Sequence, residues 1–419
     1  MFDLQSVCEK AVVASKSLLA LSQDKINACL TSCANAIREN KQEIILANLI
    51  DVKNAQNKGL SPAFIDRLTL TDKTIEDVAL GIEQVATLVS PVGQTKYSFV
   101  NKMQGVEIEK INVPFGVIGI IFESRPNVTA DAFALCFKTA NAVILKGGSD
   151  ALNSNKALVK IISESLQGSG VDGNAISLIE DTDRQTTEKF MKMNKYVDLL
   201  IPRGGASLIK SAVENSTIPI IETGTGNCHI YIDDSADIQK SAEVIFNAKT
   251  QRYSVCNACE SLVFHKDIVK QALPVIASRL KQKQVEIRCD KTCLEAIKDY
   301  PFVAEATLED FYTEYGSAII SCKTVDNLEQ AIEHINNHST HHSEAIMTEN
   351  QKNAEIFLRQ IDSACVYHNA STRFSDGFQF GLGAEIGIST QKLHARGPMG
   401  LDALVTTKYI VKGDYSSRK

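Results

Sequence analysis

The chain has 419 residues, 44% of them hydrophobic, a mean hydropathy of −0.07 and a formal net charge of −6. This length leaves room for two or three domains, and the charge excludes the basic footprint of a nucleic-acid binder. No stretch approaches the roughly 18 uninterrupted apolar residues of a membrane span, and eleven cysteines over such a length are not a disulfide scaffold. The opening Met1-Phe-Asp-Leu-Gln-Ser has no basic segment followed by an apolar run, so no secretory signal is expected and a reducing cytoplasm is the expected setting.

Residues 3–95 read as helices, with Val12, Ser15, Leu18, Leu19 and then Ile26, Leu30, Ala34, Ile37 at helical spacing. They form a scaffold layer, and Cys29 and Cys33 read as core thiols, not metal ligands. From Tyr97 to Val113 the pattern changes to a loose alternation around Gly105, a hairpin whose free edge must be covered. Strands and helices then alternate. Val117 to Phe122 is a continuous apolar run, as in a buried parallel strand. A helix follows at 130–139, a strand at 142–145, a helix at 151–167, and short strands at 176–179 and 199–202. This alternation predicts an open, doubly wound sheet with right-handed crossovers. A second α/β block spans 229–376, with strands at 229–232, 262–264, 318–321, 344–347 and 364–368 and its clearest helix at 327–338. No repeat or linker marks a domain boundary. Neither Gly381-Leu-Gly383 nor Gly224-Thr-Gly226 carries the third glycine of a dinucleotide fingerprint.

The polar run Gln251-Arg-Tyr-Ser-Val-Cys-Asn-Ala-Cys-Glu260 lies between a helical and a strand-like pattern, the kind of loop on which chemistry sits. On residues alone Cys256 is either a nucleophile or one small core residue among eleven cysteines. Upstream, in Glu222-Thr-Gly-Thr-Gly226, the glycines let the backbone pass close to a bound group. Cys256 and Cys259 form an isolated Cys-x-x-Cys, read as packing or as a disulfide liability for the nucleophile, and no metal is expected. His334, His338, His341 and His342 lack a completing carboxylate or thiol, and a helix C-terminus favouring imidazolium is the simpler reading.

These stretches resemble the aldehyde dehydrogenase superfamily, through Glu222-Thr-Gly-Thr-Gly226 and Gln251-Arg-Tyr-Ser-Val-Cys-Asn-Ala258. Within it the chain is similar to the γ-glutamyl phosphate reductase family, through the motifs at Val113–Asp131, Ala142–Gly148, Asn369–Gly377 and His394–Pro398. The resemblance implies an aldehyde dehydrogenase-like α/β fold: two doubly wound Rossmann-like domains plus a protruding β-hairpin oligomerisation element. The cofactor-binding domain would be 1–98 with 114–228 and 377–401, the catalytic domain 229–376, and the oligomerisation element 99–113 with 402–415. It implies NADPH-dependent reduction of L-glutamyl 5-phosphate to L-glutamate 5-semialdehyde and phosphate through a thioester on Cys256, the second step of proline biosynthesis from glutamate. The superfamily binds its dinucleotide without the glycine fingerprint.

The same resemblance distributes the site. Lys146, with Gly147, Gly148 and Ser149, is directed at the adenosine ribose and a 2′-phosphate. Arg203, Gly204 and Gly205 approach the pyrophosphate, and Glu314 the nicotinamide ribose. Glu222, with Thr223 and Gly224, either lines the nicotinamide pocket or caps the turn. The oxyanion takes the Cys256 backbone N–H and a side chain after the strand at 117–122. Asn127 is favoured there with a shifted match, and Arg125 fits without a shift. The substrate's anions fall to Arg125, Arg252, Arg373 and Arg396, with Ser371 and Thr372 as hydroxyl donors and Asp376 for the ammonium. A homodimer or homotetramer and a transient contact with glutamate 5-kinase are implied, with no nucleic-acid or membrane partner. An acyl-CoA-linked or ordinary aldehyde dehydrogenase, a cysteine hydrolase and a non-catalytic nucleotide-binding protein are the rival readings. The short segment from Cys256 to Glu314 opposes the first, and Lys146-Gly-Gly the hydrolase.

Overall fold

A computed structural model describes residues 2–123 and 125–418. Ser124, inside the 113–131 motif, lies outside the described residues. The helical N-terminal part is α1 (Leu4–Leu18), α2 (Gln23–Glu39), α3 (Lys41–Asn57), α4 (Pro62–Leu68) and α5 (Asp72–Thr87). Asp3, Ser22, Ser61 and Thr71 start α1, α2, α4 and α5 by accepting a first-turn backbone N–H. On α2 the expected stripe is buried, Cys29 and Cys33 included. On α1 the stripe is rotated: Leu19 is 64% exposed, and Leu4, Cys8, Ala11, Ser15 and Leu18 face inward.

The chain then forms a hairpin of β1 (Thr95–Asn101) and β2 (Val106–Pro114), followed by β3 (Val117–Phe122), α6 (Asn127–Lys138), β4 (Ala142–Lys146), α7 (Leu152–Gly168), β5 (Ile176–Leu178), α8 (Arg184–Phe190), β6 (Leu199–Arg203) and α9 (Ala206–Asn215). The last four strands make a parallel sheet in the order β5-β4-β3-β6. Every β3 and β4 residue is buried, as continuous apolar runs require. The winding reverses between β3 and β6. In an open α/β sheet, ligands bind beyond the strands' carboxyl ends at such a reversal.

The second block holds β7 (Cys228–Ile232), α10 (Ile238–Thr250), β8 (Cys259–His265), α11 (Val269–Leu280), β9 (Glu286–Cys289), α12 (Lys291–Ala296), β10 (Val303–Glu305), β11 (Ile319–Val325), α13 (Leu328–His338), β12 (Ser343–Met347), α14 (Gln351–Gln360) and β13 (Cys365–His368). Its seven-stranded sheet runs β10-β9-β11-β8-β7-β12-β13, with every pairing parallel. Beyond the five expected strands it contains β9 and β10, which are short and partly polar. A small antiparallel pair, β14 (Ile388–Ser389) and β15 (Gly397–Pro398), follows, and β16 (Val405–Gly413) pairs with β2.

The chain divides into two compact units. One comprises Met1–Thr223, Gly381–Gly387 and Met399–Lys419; the other comprises Gly224–Phe380 and Ile388–Pro398. The boundary falls at 223/224, not 228/229. Ile388–Pro398 joins the second unit because Gly224 N–H donates to the Ile388 carbonyl and Arg396 pairs with Asp362. The first unit includes the antiparallel sheet β1-β2-β16, whose outer strands expose Tyr97, Phe99, Val100, Tyr409 and Val411. Among the described residues no helix is long and apolar enough to cross a membrane.

Asp51 fastens α3 to the start of α7. Its buried carboxylate accepts the Asn153 and Ser154 backbone N–H groups, the Asn153 amide and the Ser154 hydroxyl. Asp51→Ala strands these donors and should lower unfolding free energy by about 2–3 kcal/mol. Denaturant titration checks this, and an unchanged midpoint would refute it.

Candidate active site

In the second unit, Cys256 lies on the loop that joins α10 to β8, at the amino end of a central strand. Among the described residues it is the one cysteine that is not buried. That exposure separates it from the other ten, a distinction the bare sequence lacks. Its peptide is held from two sides. Cys228 Sγ donates to the Cys256 carbonyl at 3.2 Å, and a Cβ placed on Gly226 would overlap that same carbonyl. Gly226 is therefore needed to admit the nucleophile's own backbone, not a bound group. A Cβ on Gly224 would overlap Thr390.

The next residue, Asn257, locks the loop onto the turn at 371–376. Its amide donates to the Ser375 carbonyl at 2.8 Å, its carbonyl accepts the Thr372 hydroxyl at 2.7 Å, and its side-chain oxygen accepts from the Arg373 guanidinium. Arg373 Nε also donates to Gln251 at 2.8 Å. Desolvation, first, lowers the Arg373 pKa. Asp376 and Cys256 act on it in the raising direction and the neighbouring Arg252 in the lowering one. The second unit thus places Arg252, Asp376 and Cys256 each within electrostatic reach of Arg373. Two guanidiniums near a thiol provide for an anionic acyl donor.

Other expected substrate groups make contacts inside the protein. Ser371 Oγ is buried and accepts the Arg373 N–H, and the buried Thr372 hydroxyl is committed to Asn257. These contacts brace the loop. Arg396 is held by Asp362 at 2.8 Å. Cys259 is fully buried and donates to the Ser261 carbonyl; burial raises its pKa, so it is packing and not a reactive partner. His334 and His338 stack at 4.0 Å, and burial lowers both pKa values, that of His334 to about 2. They are neutral, which overturns the imidazolium reading.

Glu314 is exposed, yet desolvation of its carboxyl raises its pKa; the Gly226 N–H and the Lys249 ammonium pull the other way. Behind it Lys249 and Glu260, both fully buried, form an ion pair of 2.5 Å. Sequence reasoning passed over both, since an isolated Lys or Glu normally marks a solvated surface.

In the first unit, Lys146 ends β4. Its buried ammonium donates to the Gly147 carbonyl at 3.1 Å, and desolvation lowers its pKa against the pull of Asp181. Gly147 has no room for a Cβ beside Asn155 and Phe122, and Gly148 and Ser149 lead into α7. Gly204 and Gly205 serve a different purpose from the one expected. The Glu123 carboxylate accepts the Gly205 N–H at 3.0 Å and fills the space a Gly204 side chain would need. A carboxylate thus already occupies the start of α9. The residues here that could hold a dinucleotide are Lys146 and the backbone at Gly148 and Ser149, at the carboxyl edge of the sheet. The Arg203 guanidinium packs where a Gly387 Cβ would stand and acts to lower the pKa of half-buried Asp131, which desolvation raises to about 6. Thr223 is buried with its hydroxyl on the Pro202 carbonyl, and Glu222 beside it is half-buried. Asn127 donates an amide hydrogen to Asp131 at 3.1 Å; Arg125 is exposed.

Comparison with known proteins agrees with this geometry. The model for the aldehyde dehydrogenase family matches residues 2–294 and 305–409. The γ-glutamyl phosphate reductase of Lachnospira eligens is 52% identical over 419 residues, covering 100% of both chains. The crystal structure of γ-glutamyl phosphate reductase from Thermotoga maritima superposes with a TM-score of 0.97 at 45% identity, covering 100% of each chain. An engineered glycolyl-CoA reductase with bound NADP+ shares the fold, with a TM-score of 0.68 at 16% identity over 97% of this chain and 96% of that one. On its full length and on the setting of Cys256, the chain belongs to the aldehyde dehydrogenase family, among the γ-glutamyl phosphate reductases.

Proposed function

We propose that the protein reduces L-glutamyl 5-phosphate to L-glutamate 5-semialdehyde and phosphate with NADPH, as the second step from glutamate to proline. The observation that carries this reading is the solvent-accessible Cys256, clamped at its backbone beside the Arg373 and Arg252 guanidiniums. The name shared by relatives at about half identity supports it, and aldehyde dehydrogenase family enzymes use nicotinamide cofactors.

Cys256 attacks the acyl carbon as a thiolate. The C–O bond to phosphate breaks, leaving a thioester on sulfur. Arg373 and Arg252 offset the charge of the substrate's anionic groups. Asn257 and Gly226 fix the peptide that follows Cys256, and so hold in place the residue whose own N–H faces the developing oxyanion. The bound cofactor supplies the hydride. Collapse of the thiohemiacetal frees the aldehyde and restores the thiolate. Lys146 holds the adenosine ribose and its 2′-phosphate, and Glu314 the nicotinamide ribose. A thiolate nucleophile fits a cytoplasmic setting, with the labile substrate handed over transiently by glutamate 5-kinase.

Cys256→Ala and Cys256→Ser should abolish NADP reduction by glutamate semialdehyde while NADPH binding persists. In the wild type that oxidation should require phosphate, with little free glutamate formed without it. Measured at 340 nm, retained activity in Cys256→Ala, or an equal rate without phosphate, would reject the mechanism.

Lys146→Ala should raise KM for NADPH about ten- to a hundredfold, the loss of one charge-assisted contact, and change KM for NADH far less. Equal losses for the two cofactors would remove Lys146 from the 2′-phosphate.

The antiparallel sheet is proposed as the contact between subunits of a homodimer or homotetramer, because its outer strands carry exposed aromatic and aliphatic side chains. Phe99→Asp with Tyr409→Asp should reduce the particle to a monomer in light scattering with unchanged circular dichroism. An unchanged mass would place the contact elsewhere.

A further inference from the structure

Lys249 on α10 and Glu260 on β8 have no exposed side-chain surface, and they meet at 2.5 Å. Such a pair carries a desolvation cost that a well-packed apolar pair avoids, so its presence is not explained by stability alone. Three links connect it to the expected ribose-binding residue. Glu260 also accepts the Gly316 N–H at 3.3 Å, two residues beyond Glu314. The Lys249 ammonium acts on the Glu314 carboxyl, and Glu314 acts in turn on Glu260. Glu314 accepts the N–H of Gly226, the glycine seated against Cys256. Two carboxylates, one exposed and one buried, therefore share one buried cation.

We infer that Lys249 and Glu260 are positioning residues that set the charge and orientation of Glu314, and so the affinity of the site for the nicotinamide ribose. The inference rests on the ribose role given to Glu314 above. The exposed carboxylate must be ionised to accept ribose hydroxyls. Desolvation opposes that ionisation, and Lys249 opposes the desolvation. Burial raises Glu260 to about 7 against the lowering pull of Lys249, so Glu260 competes with Glu314 for the cation around neutrality. The other groups facing this cluster are Cys259, which feels both Lys249 and Glu260, and Tyr315, whose hydroxyl donates to Asp310 beside Arg288.

The sign follows. Glu314 has a raised pKa, so ribose affinity falls as pH drops through it. Removing the cation moves that fall to higher pH; removing its competing carboxylate moves it to lower pH. The experiment measures NADP+ dissociation constants by calorimetry from pH 5.5 to 8.5 in the full-length protein. Lys249→Met should bind more weakly than wild type at pH 6, because loss of the cation strengthens the hold of the Glu314 carboxylate on its proton, and approach wild type at pH 8.5. Glu260→Gln, which keeps an acceptor for Gly316, should hold its affinity to lower pH than wild type. Glu314→Gln should weaken binding and flatten the profile. Unmoved profiles, or both pair variants shifting in the same direction, would mark the pair as a brace only and overturn the inference. If Lys249→Met does not fold, Glu260→Gln decides by its own direction. A normal affinity and profile in Glu314→Gln would instead overturn the ribose role itself, and with it this consequence.

Discussion

Gly226 and the Cys256 peptide occupy the same small space, and the geometry of the second unit's site follows from that. A side chain at 226 has nowhere to go, because its first carbon would overlap the Cys256 carbonyl. The carbonyl is instead met by the Cys228 thiol from the start of β7, while Asn257 anchors the following residue to the turn at 371–376. The thiol's position is thus set through backbone. A nucleophile on a loop gains from this, because a displacement of about 1 Å at the reacting atom is enough to forfeit much of the rate.

The same economy appears in the first unit. Two anionic side chains, Asp51 and Glu123, occupy the starts of α7 and α9, where a dinucleotide fingerprint would place phosphate. On the reading proposed above, recognition is left to Lys146 and to the backbone at Gly148 and Ser149. A missing fingerprint in the sequence and capped helix starts in the structure are two views of one arrangement.

The sequence was most readable where burial is symmetric. β3, β4 and β7 are continuous apolar runs, and no other environment accounts for them. β9 and β10 were not readable, because strands of four and three residues with Glu286, Arg288 and Glu305 alternate like a loop. At the site, Cys256 and its guanidiniums were found through motifs, which report residue type and order. Motifs do not report where a hydroxyl points. The contacts that the oxygens of Ser371, Thr372 and Thr223 make within the chain could therefore not be read from them. Lys249, Glu260 and Asp51 were invisible for the converse reason: charged residues are normally at the surface, and only the fold reveals which have been taken inside.

The pairing of β16 with β2 has a consequence for how the chain is made. Lys412 meets Glu109 across 303 residues of sequence, and the Asn141 side chain donates to the carbonyl of Leu404. On a ribosome, β2 emerges early with only β1 for company and waits for almost the whole second unit before its other edge is filled. A growing chain is thus exposed to mispairing for most of its synthesis. Loss of the segment from Val405 onward would remove little mass, yet would leave that edge open permanently. The last strand of the chain is therefore the one that closes this sheet.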